Sequence, residues 1–466
     1  MIGREPRKKN GKVSFKMPHT YVILMGILVL TVLLTYLIPA GEYSRVLDSA
    51  TGRMVVIPGS FHFTKGKQAG LFGVFLALQK GYVSAAGILF LIIFAYGYVY
   101  LLIDNGTLHS LVNVLLERLG KRTSLLIPLS MLLFGFLGST MGIFEETYGL
   151  IPMFVSIAIS LGYDAMVGGS IVYLGVATGF AAATTNPFSV GIAQSLAEEP
   201  LALGLTYRTI IFIVFQTMSI LYVMWYAARI KKDPEKSVLY GLKMETLPIK
   251  NQEEKALTPR RIFMAALFIF TIALLLFGTM RWGWYINEIA AMFLMMMIVT
   301  GIVSGYSTSK ICETFIRSTQ SIVPSFLIVG FTRGILTVMQ EAKISDTVVW
   351  YLVQFLNGHS KSYSALGMLV IQNIINFFIT GSSSQATITM PIMVPVADLV
   401  GLSRQTATLA YIFGDGFSDL FWPTACALGC GLIGVPINKW YRFITPLFLL
   451  MVIFQMMFIV VSCFIF

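Results

Sequence analysis

The sequence predicts an all-α polytopic membrane protein with two inverted-topology repeats, each holding a re-entrant hairpin and a broken transmembrane helix. Three observations predict it. Long apolar runs recur along 466 residues of which only 12% are charged, against about 25% in an ordinary soluble domain. A shift of 239 residues lays Gly142–Thr184 over Gly381–Pro423 with six identities in register. Each half also carries polar stretches, such as GSSSQATITMP at Gly381–Pro391, between short apolar segments.

Runs of roughly 18 or more apolar residues read as membrane-spanning helices. They lie at Tyr21–Pro39, Ala85–Leu102, Ile210–Ala227, Ile262–Met280, Ile286–Val303, Ile322–Met339 and Ile444–Phe466. The first is too long for a signal-peptide core and lacks a small-residue cleavage site, so it reads as retained. Net charge is +11, but the excess sits beside spans: six Lys/Arg in the first 16 residues and nine in Arg229–Arg261. The positive-inside rule places both in the cytoplasm. No basic face accompanies a soluble domain, which excludes a nucleic-acid partner. Cys312, Cys426, Cys430 and Cys463 fit no disulfide framework. Cys426 and Cys430 share a helix face with no His or further Cys nearby, so they read as packing residues and no metal is expected.

The chain divides into a cytoplasmic basic tail (1–19), a first transmembrane repeat (20–228) with its hairpin at 124–161, a cytoplasmic linker (229–261), and a second repeat (262–466) with its hairpin at 362–400. From a cytoplasmic N-terminus the first span exits, and Gly41–Gly70 forms an external loop of hairpin-like composition. The second span returns to a helix carrying Arg118, Lys121 and Arg122. The first hairpin then enters from the cytoplasm and the second from outside, leaving the C-terminus external. About 22 Lys/Arg fall inside and 10 outside, with Arg333 in a span. The identities Gly142/Gly381, Pro152/Pro391, Val155/Val394, Ala158/Ala397, Gly162/Gly401 and Gly175/Gly414 point to an internal duplication.

Four polar interruptions carry the candidate site. The first hairpin tip holds Gly138, Ser139, Thr140, Gly142, Glu145, Glu146 and Thr147, and the helix after it breaks at Thr184, Thr185, Asn186, Pro187 and Ser189. The second tip holds Gly381, Ser382, Ser383, Ser384 and Gln385. The helix after that breaks at Asp415, Gly416, Asp419, Trp422, Pro423 and Thr424. Non-helical backbone at membrane depth survives only when buried in protein or lining a cavity, and paired interruptions in two repeats mark a transporter's midplane site. Proline removes a donor and frees the carbonyl one turn back, so Pro187 and Pro423 are expected to expose acceptors. Hydroxyls and amides orient a solute without charge, and unpaired N–H groups at half-helix starts suit a carboxylate. Carboxylates at this depth cost about 2.5–3.5 kcal/mol each on insertion scales. A cationic substrate group, a coupling Na⁺ or H⁺, or Arg333 as charge partner would offset that cost.

Other classes fall away. GCGLIG at Gly429–Gly434 follows a membrane helix and no strand, so it is helix packing and no dinucleotide site. No phosphate-binding loop occurs, and the four scattered His build no catalytic set. The chain reads as no enzyme and needs no organic cofactor.

The stretches MPHTYVILMGILVLTVLLTYLIPAGEY, GYDAMVGGSIVYLGVATGFAAATTNPFSVGIAQ and RQTATLAYIFGDGFSDLFWPT resemble the YfcC-type branch of the DcuC-like anaerobic C4-dicarboxylate carrier family. The resemblance covers nearly the whole chain. It implies the wider ion-transporter superfamily's opposed hairpins, a homodimer, elevator-type motion and a bacterial cytoplasmic (inner) membrane. Members of the branch are regarded as basic amino acid antiporters, some exchanging arginine for ornithine, and more distant relatives carry C4-dicarboxylates. The residues carried over as site candidates are Glu145, Glu146, Asn186, Pro187, Ser382–Gln385, Asp415 and Pro423. The branch usually shows Asn where this chain has Asp419, and the added carboxylate suits a more cationic substrate, an extra coupling ion or a pocket kept protonated. Four acids against one intramembrane arginine favour a basic amino acid; Na⁺- or H⁺-coupled transport of C4-dicarboxylates or other small carboxylates is the alternative.

Overall fold

The computed structural model describes residues 19–48, 53–108, 110, 114, 124–200, 203–242, 258–284, 286–354 and 360–466. Most of the basic tail, the stretch with Arg118, Lys121 and Arg122, and the centre of the linker lie outside the described residues. All seven apolar runs fall on helices. The first half places them on α1 (Thr20–Leu37), α3 (Ala86–Asp104) and α8 (Leu205–Lys232), with α2 (Leu71–Ser84) preceding α3. The second half uses α9 (Pro259–Arg281), α10 (Ile286–Val303), α11 (Thr308–Glu341) and α17 (Ile437–Ile465). Among the described residues α1, α3, α8, α10 and α17 are each long and apolar enough to cross a membrane. α11 adds a sixth crossing if its limbs, Thr308–Val323 and Leu327–Glu341, inclined at 54°, count as one span.

Gly41–Gly70 holds two small antiparallel pairs, Gly41–Glu42 with His62–Phe63 and Arg45–Asp48 with Arg53–Val56. They dock on α12 (Ser345–Gln354). Asp346 accepts the Tyr43 N–H at 2.9 Å and both its oxygens accept from Arg45 at 2.8 and 2.9 Å, while Phe61 stacks on Trp350.

Between these spans each half folds a pair of short helices and then an interrupted one. The first half has α4 (Leu126–Met141), a 3₁₀ stretch Glu145–Leu150 and α5 (Ile151–Ser160), then α6 (Ala165–Ala181), a π-turn Pro187–Gly191 and α7 (Ile192–Leu196). The second has α13 (Lys361–Phe378) and α14 (Ser382–Leu399), then α15 (Arg404–Gly416), a 3₁₀ turn Ser418–Leu420 and α16 (Pro423–Ile433). The two tips reverse at residues the 239-residue shift aligns. Gly142 ends α4 with φ +71° and Gly381 starts α14 with φ +156°, conformations open to glycine and strained for other residues.

Close packing repeats too. Gly175 on α6 meets the backbone of Met131 on α4, and the aligned Gly414 on α15 meets Gln372 and Asn373 on α13. Each interrupted helix thus lies against the first helix of its own hairpin because a glycine removes the side chain between them. The halves also interlock: Ala183, Val190 and Ala193 share a buried cluster with Ala386, Met390 and Tyr411.

Candidate functional site

The last turns of α6 and α15 touch: a Cβ on Gly416 would collide with Ala181. The first break therefore begins where the second does.

In the first break, residues 182–186 leave the helix and are held by hairpin one. The N–H groups of Thr184, Thr185 and Asn186 all donate to the Ser139 carbonyl, at 2.9–3.2 Å. Ser139 Oγ donates to the Ala182 carbonyl at 3.0 Å and to Thr184 Oγ1 at 3.1 Å. From the other side Arg208, at the fourth position of α8 and 1% exposed, donates Nε to the Thr184 carbonyl at 3.0 Å and Nη1 to the Leu203 carbonyl at 2.7 Å. Asn186 is fully buried, and its Oδ1 accepts the Phe188 N–H at 2.8 Å.

In the second break the fastening comes from side chains. Asn376 on α13 brings Nδ2 within 2.7 Å of the Asp415 carbonyl, 2.5 Å of Ser418 Oγ and 2.8 Å of Asp419 Oδ1. Ser382 Oγ donates to Asp415 Oδ2, and Tyr411 OH donates to the Ser382 carbonyl at 2.6 Å, tying the first turn of α14 to α15. Ser383 Oγ donates to the Phe188 carbonyl at 3.1 Å, so the second tip rests on the first break. Trp422 Nε1 donates to the Asn373 carbonyl at 2.8 Å and its ring meets Phe377 edge-on, fastening the break to α13.

The prolines act differently from the expectation. Pro187 and Pro423 each open a new helical segment rather than interrupt a continuing one. At a first helical position the missing N–H has no partner to lose, and proline's fixed φ suits a helix start. The residue before proline is pushed out of the α region, and Asn186 and Trp422 have ψ of 115° and 130°. Each break ends at that extended residue.

The acids of the two halves interact electrostatically. Glu145 lies within Coulombic reach of Asp419 and of Arg333, and Asp419 of Asp415. Arg333, on α11, makes no direct ion pair among the described residues. Glu146 is buried with Oε2 accepting the Phe144 N–H at 2.9 Å, and Thr147 Oγ1 donates to the Phe144 carbonyl at 2.7 Å; both close their own turn. Gln385 donates to the Gln372 carbonyl at 3.0 Å and to its Oε1 at 2.7 Å inside hairpin two. Thr185 and Ser384 are exposed. The structure thus gathers Glu145, Asn186, Ser382, Ser383, Asp415 and Asp419, and leaves Thr185 and Ser384 on the outside.

Several buried polar atoms here lack a partner among the described residues: Asn186 Nδ2 and Ser189 Oγ at the first break, and Asn376 Oδ1, Gln385 Oε1, Asp415 Oδ1 and Thr424 Oγ1 around the second. Most buried polar atoms in proteins are paired, so six orphans in one neighbourhood suit a place where a solute supplies the partners. A cavity of about 340 Å³ at the end of α1, bounded by Tyr36, Pro39, Thr64, Gln68 and Ala342, shares no residue with this centre.

The sequence model of the C4-dicarboxylate anaerobic carrier family, DcuC, matches residues 17–464. The chain belongs to this family. An uncharacterized protein of Haemophilus influenzae is 27% identical over 94% of this chain and 95% of its own length. A protein of Escherichia coli K12 with the provisional name basic amino acid antiporter YfcC is 29% identical over 91% and 92%. Among solved structures the chain is similar to the YdaH transporter of Alcanivorax borkumensis (14% identity, 95% and 98% coverage, TM-score 0.42). It is also similar to MtrF of Neisseria gonorrhoeae (16% identity, 97% and 96% coverage, TM-score 0.43). With its apolar helices, this DcuC-family carrier is an integral membrane protein and a transporter.

Sequence reasoning missed three residues of this carrier's centre. Arg208 lies two residues before the apolar run that begins at Ile210, so it reads as a loop cation although the helix starts at Leu205. Gln372 and Asn376 stand in plain view as amides in a largely apolar stretch of helix, four residues apart and so on one face. Amides in such a span are rare enough to have marked that face.

Proposed function

We propose that this carrier exchanges basic amino acids, of the arginine, lysine and ornithine type, across a bacterial inner membrane. The observation that carries the reading is the pair Asp415 and Asp419, held together by Asn376 in the second break, with Glu145 and Arg333 in electrostatic reach. A dianion entering there would meet net repulsion, and a cationic side chain would meet two carboxylates in the second break. Exchange of two monocations moves no net charge, so it avoids the roughly 2.3 kcal/mol per charge per 100 mV that a uniporter would carry. The provisional name of the E. coli relative agrees with this reading.

The architecture we attach to it is two repeats of opposite orientation, supported by the distribution of Lys and Arg, the aligned glycines and the repeated element order. In it the hairpins Leu126–Ser160 and Lys361–Leu399 are re-entrant from opposite sides, the N-terminus is cytoplasmic and the C-terminus external. The body formed by hairpins and interrupted helices moves elevator-fashion against the remaining spans, in a homodimer.

A second reading, C4-dicarboxylate transport, is favoured by the family's own description. It requires Na⁺ or H⁺ to neutralise the acids. Purified carrier in liposomes separates the two. Counterflow of labelled arginine, lysine or ornithine against the same solutes inside is expected, without any need for a Na⁺ gradient. Counterflow of succinate or fumarate with none of the basic amino acids would reverse the assignment.

A further inference from the structure

Hairpin one turns through the 3₁₀ stretch Glu145–Leu150. Side chains three apart eclipse in such a helix, so the stretch has three edges: Glu145 with Tyr148, Glu146 with Gly149, and Thr147 with Leu150. The second edge is pressed on α3, where a Cβ on Gly149 would collide with Ala95. Glu146 and Thr147 spend their polar atoms on the main chain of Phe144 and close the turn. The Glu145 carboxylate and the Tyr148 hydroxyl remain, together on one edge, and neither makes a hydrogen bond among the described residues.

Tyr148 is only 7% exposed, and a buried tyrosine hydroxyl usually finds a partner. Tyr98, Tyr226 and Tyr411 follow that rule, with Thr271 Oγ1 at 3.0 Å, Asp164 Oδ2 at 2.7 Å and the Ser382 carbonyl at 2.6 Å. Around Tyr148 the neighbours are rings and charges. Its ring meets Phe144 edge-on at 5.7 Å between centroids, Phe144 meets Tyr173 at 6.0 Å, and Tyr173 OH donates to the Asp419 carbonyl at 3.4 Å. A row of aromatic rings therefore runs from the tip of hairpin one to the second break. Tyr148 is in electrostatic reach of Glu145, Asp419, Glu146 and Arg333.

Carboxylates beside an aromatic ring do not suit all cations alike. A guanidinium is planar, weakly hydrated, rich in N–H donors and stacks on aromatic faces, whereas an ammonium is a compact and strongly hydrated point charge. We propose that Tyr148 is a specificity-determining residue of the site. Its ring takes the face of the substrate's side-chain cation and its hydroxyl oxygen accepts one of the cation's N–H groups, beside Glu145 and Asp419. A guanidinium is thereby favoured over an ammonium. This assignment rests on the amino acid reading above and narrows it to arginine-type substrates.

The test is counterflow in liposomes holding the full chain, with arginine and lysine as the entering solutes. Wild type should favour arginine over lysine by about tenfold in kcat/KM, the size of a desolvated cation–aromatic contact. Tyr148→Leu removes ring and hydroxyl, so it should abolish the preference through a higher arginine KM, with lysine little changed. Tyr148→Phe keeps the ring and should retain part of the preference, about threefold; it decides the matter if the Tyr148→Leu protein fails to accumulate. Loss of packing alone would slow both solutes equally and leave their ratio as it was. A ratio unchanged in either variant therefore overturns the assignment, as does a wild type that takes arginine and lysine equally well. Wild type that exchanges succinate and no basic amino acid overturns the functional reading instead, and this inference with it.

Discussion

In the first half, three successive main-chain N–H groups of the break converge on one carbonyl, that of Ser139, and side chains of Ser139 and Arg208 add to this hold. In the second half, the equivalent break is fastened by side chains, with Asn376 gripping Asp415, Ser418 and Asp419, and Ser382 reaching Asp415. The backbone pieces match at Gly142/Gly381, Gly162/Gly401 and Gly175/Gly414, yet the 239-residue shift sets Val176 against Asp415 and Phe180 against Asp419. The two halves share these pieces, and only the second carries acids, Asp415 and Asp419, where the first has Val176 and Phe180. A pocket between identical copies would suit a symmetric solute. A pocket between these unequal copies suits a solute with two different ends.

The sharpest way to break that contrast is to neutralise the acidic copy. Asp415→Asn should slow exchange by at least about 30-fold, because removing one partner of a buried charged contact costs roughly 2–5 kcal/mol. The protein should still accumulate and melt cooperatively in detergent. Val176→Ala, at the aligned position, should only modestly slow exchange. Wild-type counterflow in Asp415→Asn would remove that carboxylate from the site.

Next in size is the difference between the two fastenings. Asn376→Ala leaves the Asp415 carbonyl, Ser418 Oγ and Asp419 Oδ1 short of a donor, at about 1–3 kcal/mol for each buried group left unsatisfied. Ser139→Ala removes hydroxyl bonds of about 1 kcal/mol each and keeps the carbonyl on which the three N–H groups converge. Thermal melts should therefore show a several-fold larger drop for Asn376→Ala. Equal drops would mean that side chains and main chain hold the two breaks alike.

This contrast also explains what could be read from the sequence. Glycine and proline announce their backbone consequences, so Gly142, Gly381, Pro187, Gly416 and Pro423 were legible as helix ends, and the apolar runs as helices. The prolines were legible in place but not in function, since a helix start and a kink demand the same residue. Ser139 was legible as a polar residue of the first tip but not as a fastening, because its carbonyl carries most of that role and every residue type has one. Arg208 was hidden by the edge of an apolar run. Side-chain fastenings such as Asn376 were visible as amides in an apolar helix, but their partners lie some 40 residues on, and only the fold brings them together.

The smallest expected effect concerns how the interrupted helices begin. The shift aligns Asp164 with Ser403, and both cap: Asp164 Oδ1 accepts the Val167 N–H at 3.0 Å, and Ser403 Oγ accepts the Thr406 N–H at 3.1 Å. Losing such a cap costs about 0.5–2 kcal/mol. Asp164 does more, since its Oδ2 also accepts from Tyr226 OH at 2.7 Å and Ser237 Oγ at 2.6 Å, which ties the exit of hairpin one to the end of α8. The exit of hairpin two is instead tied by Arg404, which pairs with Asp398 and Glu198 and donates to the Ala197 carbonyl at 3.0 Å, so it reaches across to the first half. Ser403→Ala should therefore lose only the cap, about 1 kcal/mol. Asp164→Ala should lose the cap and two charge-assisted bonds, at least about 3.5 kcal/mol in all, and Asp164→Asn should fall between them. Melting of the three variants in one detergent checks the order. If Asp164→Ala and Ser403→Ala melt together, the tie to Tyr226 and Ser237 contributes nothing, and hairpin one is no more firmly anchored within its own half than hairpin two.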